Sequence, residues 1–204
     1  MSDDSPNPKA GSVVLDTPDQ ILEAAAAVIV REGMRGASLR SVAQEADVSL
    51  GLLSYHFDDK QTLIREAFKR STDILLERSL AAMSEAVASE TASAAEAAAE
   101  AYIRGAFADD FLRSEYLHLR ISLWATARTD DDIAQVERDL YQRYADNLAT
   151  VIASARTGLS GREARQRATD VIVVQNGLWL NWARYRDRDD LERGLRLAVA
   201  IALA

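Results

Sequence analysis

The stretch ADVSLGLLSYHFDDKQTLIREAF, residues 46–68, decides the fold of this chain. A tight break at residues 47–48 is followed by Ser49, a good N-cap for a short helix. Within that helix Leu53 and Phe57 are four residues apart, so they share one face and pack inward together. The other side chains of the helix are therefore predicted to point away from the core.

The elements around this helix complete a recognisable unit. Thr17 and Gln20 form a capping box that opens a first helix, and Gly33 closes it. Ser38 caps a second, short helix, and Asp59 caps a fourth, much longer one. Two short helices separated by two or three residues, behind a longer supporting helix, are typical of the helix-turn-helix. The second member of such a pair enters the major groove of DNA.

The outward residues of the third helix have the chemistry of a groove-reading surface. Leucine methyl groups contact thymine C5-methyl groups, a serine hydroxyl hydrogen-bonds to a base edge, and a glycine lets the backbone approach closely. Polar residues at the helix end, with amide groups at the starts of helices 2 and 4, are predicted to hold phosphates. The predicted DNA-binding residues are Ser38, Arg40, Ser49, Leu50, Gly51, Leu52, Ser54, Tyr55, His56 and Lys60.

Composition restricts the class of protein. The net charge of −8 argues against a broad basic surface, so any contact with DNA must depend on arrangement. The absence of cysteine fits a reducing compartment. No signal-peptide pattern is present, and the apolar run LAVAIALA at residues 197–204 is too short to span a bilayer. We expect a cytoplasmic protein without a membrane partner.

Helix is favoured nearly everywhere, because only three prolines interrupt a chain rich in Ala, Leu, Arg and Glu. The fold class is predicted to be all-α. A low-complexity stretch predicts a loop near residues 88–93 and a restart at a capping box formed by Ser93 and Glu96. The predicted organisation is a flexible tail at 1–15, a three-helix helix-turn-helix domain at 16–62, and a helical effector-binding and dimerisation domain at 63–204.

The last two helices predict a dimer. From Val171 to Trp182 the sequence VIVVQNGLWLNW is apolar nearly all round, and such a helix must be covered on every side. The final helix also has surplus apolar surface. A two-fold four-helix contact between two copies would bury both helices and place two recognition helices on one face of a duplex. The predicted dimer-interface residues are Leu178, Trp182, Leu191, Leu195 and Val199.

An enzyme is not expected. The chain has two histidines, His56 and His118, no H-E-x-x-H, no G-x-S-x-G, no phosphate loop and no glycine-rich dinucleotide turn. No cofactor and no metal site are predicted. The alternative to a DNA-binding regulator is a helical dimeric ligand-binding module that does not bind DNA. Such a module has no reason to keep the exposed surface from Leu50 to Tyr55.

Three segments carry a resemblance to a known family: ILEAAAAVIVREG at 21–33, ASLRSVAQEADVS at 37–49, and G-x-L-x-Y-H-F-x-x-K-x-x-L at 51–63. Together they resemble the DNA-binding domain of TetR-family transcriptional repressors. The resemblance implies that helix 3 reads operator DNA. Asp47 stands where the family commonly has glycine, a position at which aspartate tolerates the left-handed region. Leucines stand at positions 50 and 52, which are often polar, so readout by apolar contact is expected.

The second half resembles the BetI-type branch through SLWA at 122–125, QRYADNL at 142–148 and NGLWLNWA at 176–183. The best-known members of that branch sense choline or its oxidation products. The resemblance therefore implies a small-molecule effector, with a quaternary ammonium compound as one candidate. Asn176, however, stands where such members commonly carry an aspartate, which weakens the case for a cation.

Aromatic residues leave two interpretations open. Trp124, Trp179, Trp182, Tyr102, Tyr116 and Tyr185 could supply the faces of an aromatic cage for a cation. The same rings could equally be ordinary core and interface residues. The candidate effector-binding residues are Tyr102, Tyr116, Trp124, Asn176 and Trp179.

Overall fold

A computed structural model describes residues 17–88 and 94–204, and this part of the chain contains helices and no strand. The all-α prediction is confirmed. The expected tail at 1–15 and the restart at Ser93 lie outside the described residues. The helices are α1 (Thr17–Gly36), α2 (Leu39–Glu45), α3 (Leu50–His56), α4 (Lys60–Val87), α5 (Ala94–Gly105), α6 (Ser114–Thr126), α7 (Asp131–Ala155), α8 (Gly161–Tyr185) and α9 (Arg188–Leu203).

A first core joins α1, α2, α3 and the start of α4. Ile21 and Val28 of α1 pack with Leu53 and Phe57, the pair predicted to face inward, and all four are buried. The predicted end of the first helix at Gly33 is seen as an interruption: Gly33 has φ 72° before one more helical turn. That conformation carries little penalty for a residue without Cβ.

The division between the two cores lies within α4. Leu63 and Phe68 are buried in the first core, whereas Leu75 belongs to a second core formed by α4 to α9. The predicted boundary between residues 62 and 63 falls inside the continuous helix α4, whose first turns contribute to the first core.

Helix α6 belongs to both cores. Leu119 and Leu123 are buried in the first core, whereas Leu117 is buried in the second. In the second core α8 lies between α7 and α9 and also contacts α6. Helix α6 is therefore packed against both cores.

The predicted helix caps at Ser38, Ser49 and Asp59 are confirmed. The capping box predicted from Thr17 and Gln20 is not: α1 begins at Thr17 itself, and the Gln20 side-chain amide donates to the Ala46 carbonyl oxygen at 2.8 Å. The Ser49 hydroxyl accepts a hydrogen bond from the Leu52 amide at 3.1 Å, and the Asp59 carboxylate accepts one from the Thr62 amide at 2.7 Å. Ser38 forms a capping box at the start of α2, as Ser160 does with Glu163 at the start of α8. Each cap satisfies backbone donors that a helix start leaves unpaired.

Asp47 gives a test of the turn between α2 and α3. Its φ is 52°, in the left-handed region that favours glycine. We expect Asp47→Gly to raise the free energy of unfolding by roughly 0.5 kcal/mol and Asp47→Ala to lower it by about 1 kcal/mol. Urea unfolding followed by circular dichroism measures both. A glycine variant less stable than the alanine variant would contradict this account of the turn.

Candidate nucleic-acid interface and ligand cavities

The outer face of α3 is apolar and open to solvent. Leu50 is 43% exposed, Leu52 is 40% exposed and Tyr55 is 82% exposed, although large apolar side chains usually avoid water. Gly51 and Ser54 on the same short helix are also exposed. The structure thus confirms that these side chains point outward, and the cap at Ser49 fixes the start of the helix that presents them.

The polar residues predicted to contact DNA are arranged around α3. The Ser38 and Ser49 hydroxyls accept hydrogen bonds from the backbone at the starts of α2 and α3, and both residues are exposed. Arg40 is exposed and forms no ion pair among the described residues. His56 is half-buried, with its ring 5.2 Å from that of Tyr55.

The start of α4 is less suited to phosphate than the sequence indicated. The Asp59 carboxylate occupies this helix end, and its hydrogen bonds to Thr62 lower the pKa of Asp59, so it is a fixed negative charge. Lys60 is half-buried, and its Nζ donates to the Arg35 carbonyl oxygen at 3.3 Å. The Asp59 carboxylate already accepts the hydrogen bond of the Thr62 amide and repels phosphate, which opposes the phosphate contact predicted at the start of α4. The start of α2 has only serine hydroxyls at this position.

A small cavity lies among α4, α6, α7 and α8. Its volume is about 30 Å³, and its walls include Arg120, Glu137, Tyr144, Asn176 and Trp179. Two of the five candidate effector-binding residues, Asn176 and Trp179, therefore lie at one cavity. Arg120 and Glu137 were not singled out from the sequence, because a charged residue on an amphipathic helix normally faces water.

Tyr102 is corrected to a core residue. It is fully buried, its hydroxyl donates to the Tyr144 carbonyl oxygen at 3.4 Å, and its ring centroid lies 5.0 Å from that of Tyr144. Burial and the neighbouring phenol raise the pKa of Tyr102 well above its ordinary value. Tyr102 lines neither of the cavities described here.

The aromatic residues do not form an open cage. Trp179 stacks on Phe107 with a centroid separation of 4.6 Å, and Tyr116 packs against both Phe111 and Trp179 at 4.7 and 5.6 Å. Trp124 is half-buried and lies 5.2 Å from the Arg120 guanidinium carbon. Several of these ring faces are already covered by other rings or by arginine, which favours the interpretation of the rings as core residues over that of a cage.

A larger cavity of about 650 Å³ lies between the two cores. Its walls come from α1, α4 and the segment from Asp110 to Leu119, and Tyr116 is one of them. Ile74 and Phe111 provide apolar surface. Sequence periodicity did not indicate this cavity, because it depends on how α1 is placed against α6. The small side chains of Ala26 and Ala27 on its α1 wall are the feature of the local sequence that is consistent with a cavity.

Three of the five residues predicted at a dimer interface belong to the core of a single protomer. Trp182, Leu191 and Leu195 are buried within one chain, and the Trp182 indole donates to the Leu112 carbonyl oxygen at 2.8 Å. A partner subunit has no surface left to cover on these three side chains. Their assignment is therefore corrected.

Leu178 and Val199 are half-buried. Leu178 packs directly on Gly194 of α9, where a Cβ would collide with the leucine methyl groups. The glycine thus lets α8 and α9 approach each other closely. Leu178 mainly joins these two helices within one chain.

The surplus apolar surface of the last two helices lies elsewhere. Val173 is 64% exposed, Leu180 is 48% exposed and Leu197 is 55% exposed. Val173 and Leu180 are seven residues apart, on one face of α8, with the exposed Gly177 between them. We call Val173, Leu180 and Leu197 the outer apolar face.

No group of three His, Asp or Glu side chains in residues 17–88 and 94–204 is placed to hold a metal ion. In the same part of the chain, none of the helices has the length and apolar character that crossing a bilayer requires.

Comparison with known proteins covers both halves. The profile of the bacterial regulatory proteins of the tetR family matches residues 21–67, and that of the C-terminal domain of BetI-type transcriptional repressors matches 95–202. The HTH-type transcriptional regulator BetI of Pseudomonas paraeruginosa is 27% identical over 183 residues, which cover 88% of this chain and 87% of that protein.

Solved structures share the fold. A transcriptional regulator from Rhodococcus sp. has a TM-score of 0.73 and 26% identity, covering 92% of this chain and 96% of that one. A regulator from Saccharomonospora viridis, solved in complex with choline, has a TM-score of 0.69 and 20% identity, covering 90% and 95%. The BetI-type match alone spans more than half of the sequence. The chain belongs to the TetR family of transcriptional regulators, with a DNA-binding N-terminal domain and a BetI-type C-terminal domain.

Proposed function

We propose that this regulator represses transcription by binding operator DNA as a homodimer and is released when a small-molecule effector binds its C-terminal domain. The observation that carries the proposal is the outer face of α3, where Leu50, Leu52 and Tyr55 are exposed on a capped helix supported by a buried core. Exposure of these apolar side chains to water is unfavourable, but in the major groove of DNA they can contact thymine methyl groups. Because operator DNA lies in the bacterial cytoplasm, the proposal includes a cytoplasmic location for the protein.

The outer apolar face supports the dimer. Leu180 of α8 and Leu197 of α9 are each about half exposed, and Val173 is exposed on the same face of α8 as Leu180. A two-fold contact between two copies would cover this surface with an identical one. Two recognition helices are then held at a fixed separation, and binding to successive major grooves requires about 34–36 Å.

Release is proposed to act through α6. Arg120 on this helix lines the small cavity, whereas Leu119 and Leu123 are buried in the N-terminal core. A ligand that displaces α6 therefore displaces the support of the DNA-binding domain. It shifts the population of DNA-binding dimers only to the extent that it binds the two arrangements with different affinity.

The choline bound to the Saccharomonospora viridis regulator makes a quaternary ammonium compound one candidate for the effector. Asn176 at the cavity is uncharged and Arg120 beside it is positive, and both oppose a simple cation, whereas Glu137 on the same cavity favours one. A buried guanidinium repels a cation at close range, since little water separates them.

The second candidate function is the dimeric ligand-binding module that does not bind DNA. The net charge of −8 and the capping carboxylate at Asp59 favour it. Selection from a random library of genomic fragments, followed by mobility-shift titration, separates the two. Enrichment of one sequence motif supports the repressor, and recovery of no fragment above background supports the module.

Tyr55 tests which surface contacts the selected DNA. We expect Tyr55→Ala to weaken binding roughly 10-fold, and by a similar factor on operator variants, because contacts to phosphate carry affinity but little sequence information. The matched control is Tyr185→Ala, which removes a 58% exposed tyrosine from the end of α8. Mobility-shift titrations measure both. Equal affinity of the two variants would remove Tyr55 from the interface.

A further inference from the structure

Arg120 is half-buried and carries two buried guanidinium nitrogens that have no hydrogen-bond partner among the described residues. Its Nε and Nη1 atoms each expose less than 1 Å² and form no hydrogen bond among the described residues. The side chain lines the small cavity among α4, α6, α7 and α8. Burying a guanidinium in this way is unfavourable, because the lost water is not replaced by acceptors.

The aromatic groups around Arg120 do not neutralise it. Trp124 lies 5.2 Å from the guanidinium carbon, which gives a cation–π contact but no hydrogen-bond acceptor in the ring plane. Burial raises the pKa of Tyr116, and it raises the pKa of Tyr144 to about 12, although Arg120 opposes both shifts. Both phenols are therefore neutral at physiological pH and leave the charge of Arg120 uncompensated.

Glu137 is the acidic residue on the walls of the same cavity. No ion pair joins it to Arg120 in the described part of the chain. Glu137 is half-exposed, so water can solvate its carboxylate. The Tyr116 phenol is neutral and hydrogen-bonds to the guanidinium without cancelling its charge. The Nε and Nη1 atoms themselves have no acceptor among the described residues, on a side chain that lines the cavity.

We infer that Arg120 binds the carboxylate of an amphipathic monocarboxylate effector. A guanidinium only donates hydrogen bonds, so the group that satisfies it must accept them, and a negative acceptor also cancels the buried charge. This inference rests on the proposed function, since it assigns the chemical class of the effector in the same C-terminal domain.

The two cavities together determine the shape of this ligand. A volume of about 30 Å³ accommodates one or two waters, or a carboxylate group, but no larger body. Tyr116 contacts Trp179 at the small cavity and also lines the cavity of about 650 Å³, where Ile74, Phe111 and Leu119 are apolar. We assign the apolar body of the ligand to the larger cavity. The Tyr116 ring contacts residues of both cavities, so it must rotate for one ligand to occupy both of them.

Calorimetric titration of the full chain tests the assignment with butanoate, hexanoate and octanoate, each paired with its amide. We expect the carboxylates to bind and their amides to bind far more weakly. Affinity should rise by about fourfold for each added CH₂ group as the apolar body fills the larger cavity. Failure of all three carboxylates to bind, or equal binding of acid and amide, would overturn the inference.

Variants identify the residue responsible. Arg120→Met should weaken octanoate binding by roughly 10-fold to 100-fold, the range for a lost hydrogen bond to a charged group. Arg128→Met is the matched control, because Arg128 is exposed just beyond the end of α6 and forms no ion pair among the described residues. Octanoate affinity that falls equally in both variants would contradict a specific role of Arg120.

Stability without ligand gives an independent readout. We expect Arg120→Met to raise the thermal midpoint, because a buried unpaired charge is replaced by an apolar side chain, whereas Glu137→Gln should leave it unchanged. A lower midpoint in both variants would show that Arg120 and Glu137 form a structural ion pair, and would overturn the inference. None of these measurements includes DNA, so a failure to bind operator would refute the proposed function separately. Binding of choline without binding of octanoate would refute only the present inference.

Discussion

Leu197→Asp is expected to give a folded monomer that no longer binds operator tightly. Leu197 is 55% exposed in one protomer, so a carboxylate at this position does not disturb the protomer's own core. In a two-fold dimer the same change places two carboxylates in one low-dielectric contact, and removing each from water costs several kcal/mol. Operator affinity should fall roughly 100-fold to 1000-fold, because a single helix-turn-helix reads only a half-site.

Leu195→Asp is the matched control two residues away on α9. Leu195 is buried in the protomer core, so the same charge should destabilise the fold by about 3–5 kcal/mol, a large part of the stability of a domain. Sedimentation velocity and circular dichroism separate the two outcomes: a folded monomer for Leu197→Asp and loss of helix for Leu195→Asp. A Leu197→Asp protein that remains a dimer would remove α9 from the interface.

Leu52→Glu is expected to abolish specific DNA binding without unfolding the protein. Leu52 is 40% exposed on α3, so the fold tolerates a charged side chain there. In a complex, the same carboxylate would face phosphates and base acceptors, and like charges placed together at an interface cost several kcal/mol. Operator affinity should fall by roughly 100-fold or more.

The control for Leu52→Glu is Val87→Glu. Val87 is 52% exposed at the end of α4, so this variant adds the same charge to the protein in another place. Its effect on operator binding measures the contribution of net charge alone, which mobility-shift titration should show to be small. If both variants bind DNA as tightly as the wild type, α3 does not enter the groove.

Local signals in the sequence were sufficient for the helix-turn-helix. Ser49 and the Leu53–Phe57 spacing determine where α3 begins and which face is buried, and both depend on residues within one or two turns. The exposure of Leu50 and Tyr55 follows from the same periodicity. The sequence was also sufficient to predict that Asp59 opposes phosphate binding at the start of α4, because a capping carboxylate is itself an anion.

The dimer and ligand residues could not be predicted in the same way. The part of α8 from Val171 to Trp182 is apolar nearly all round, so periodicity does not show that Trp182 faces its own core while Leu180 faces outward. Arg120 is one charge on an amphipathic helix, and its burial depends on the packing of α4, α7 and α8 around it. The orientation of the α8 side chains and the burial of Arg120 both depend on contacts between segments that are distant in the sequence. Local sequence patterns do not show such contacts.

A hydroxyl-radical footprint on the selected operator tests most directly whether this chain is a homodimeric repressor that reads DNA through α3. The account predicts two protected half-sites related by a two-fold axis and separated by about one helical turn or a multiple of it. Protection should be lost from both half-sites with Leu52→Glu. A single protected half-site, or protection that Leu52→Glu leaves unchanged, would contradict the account.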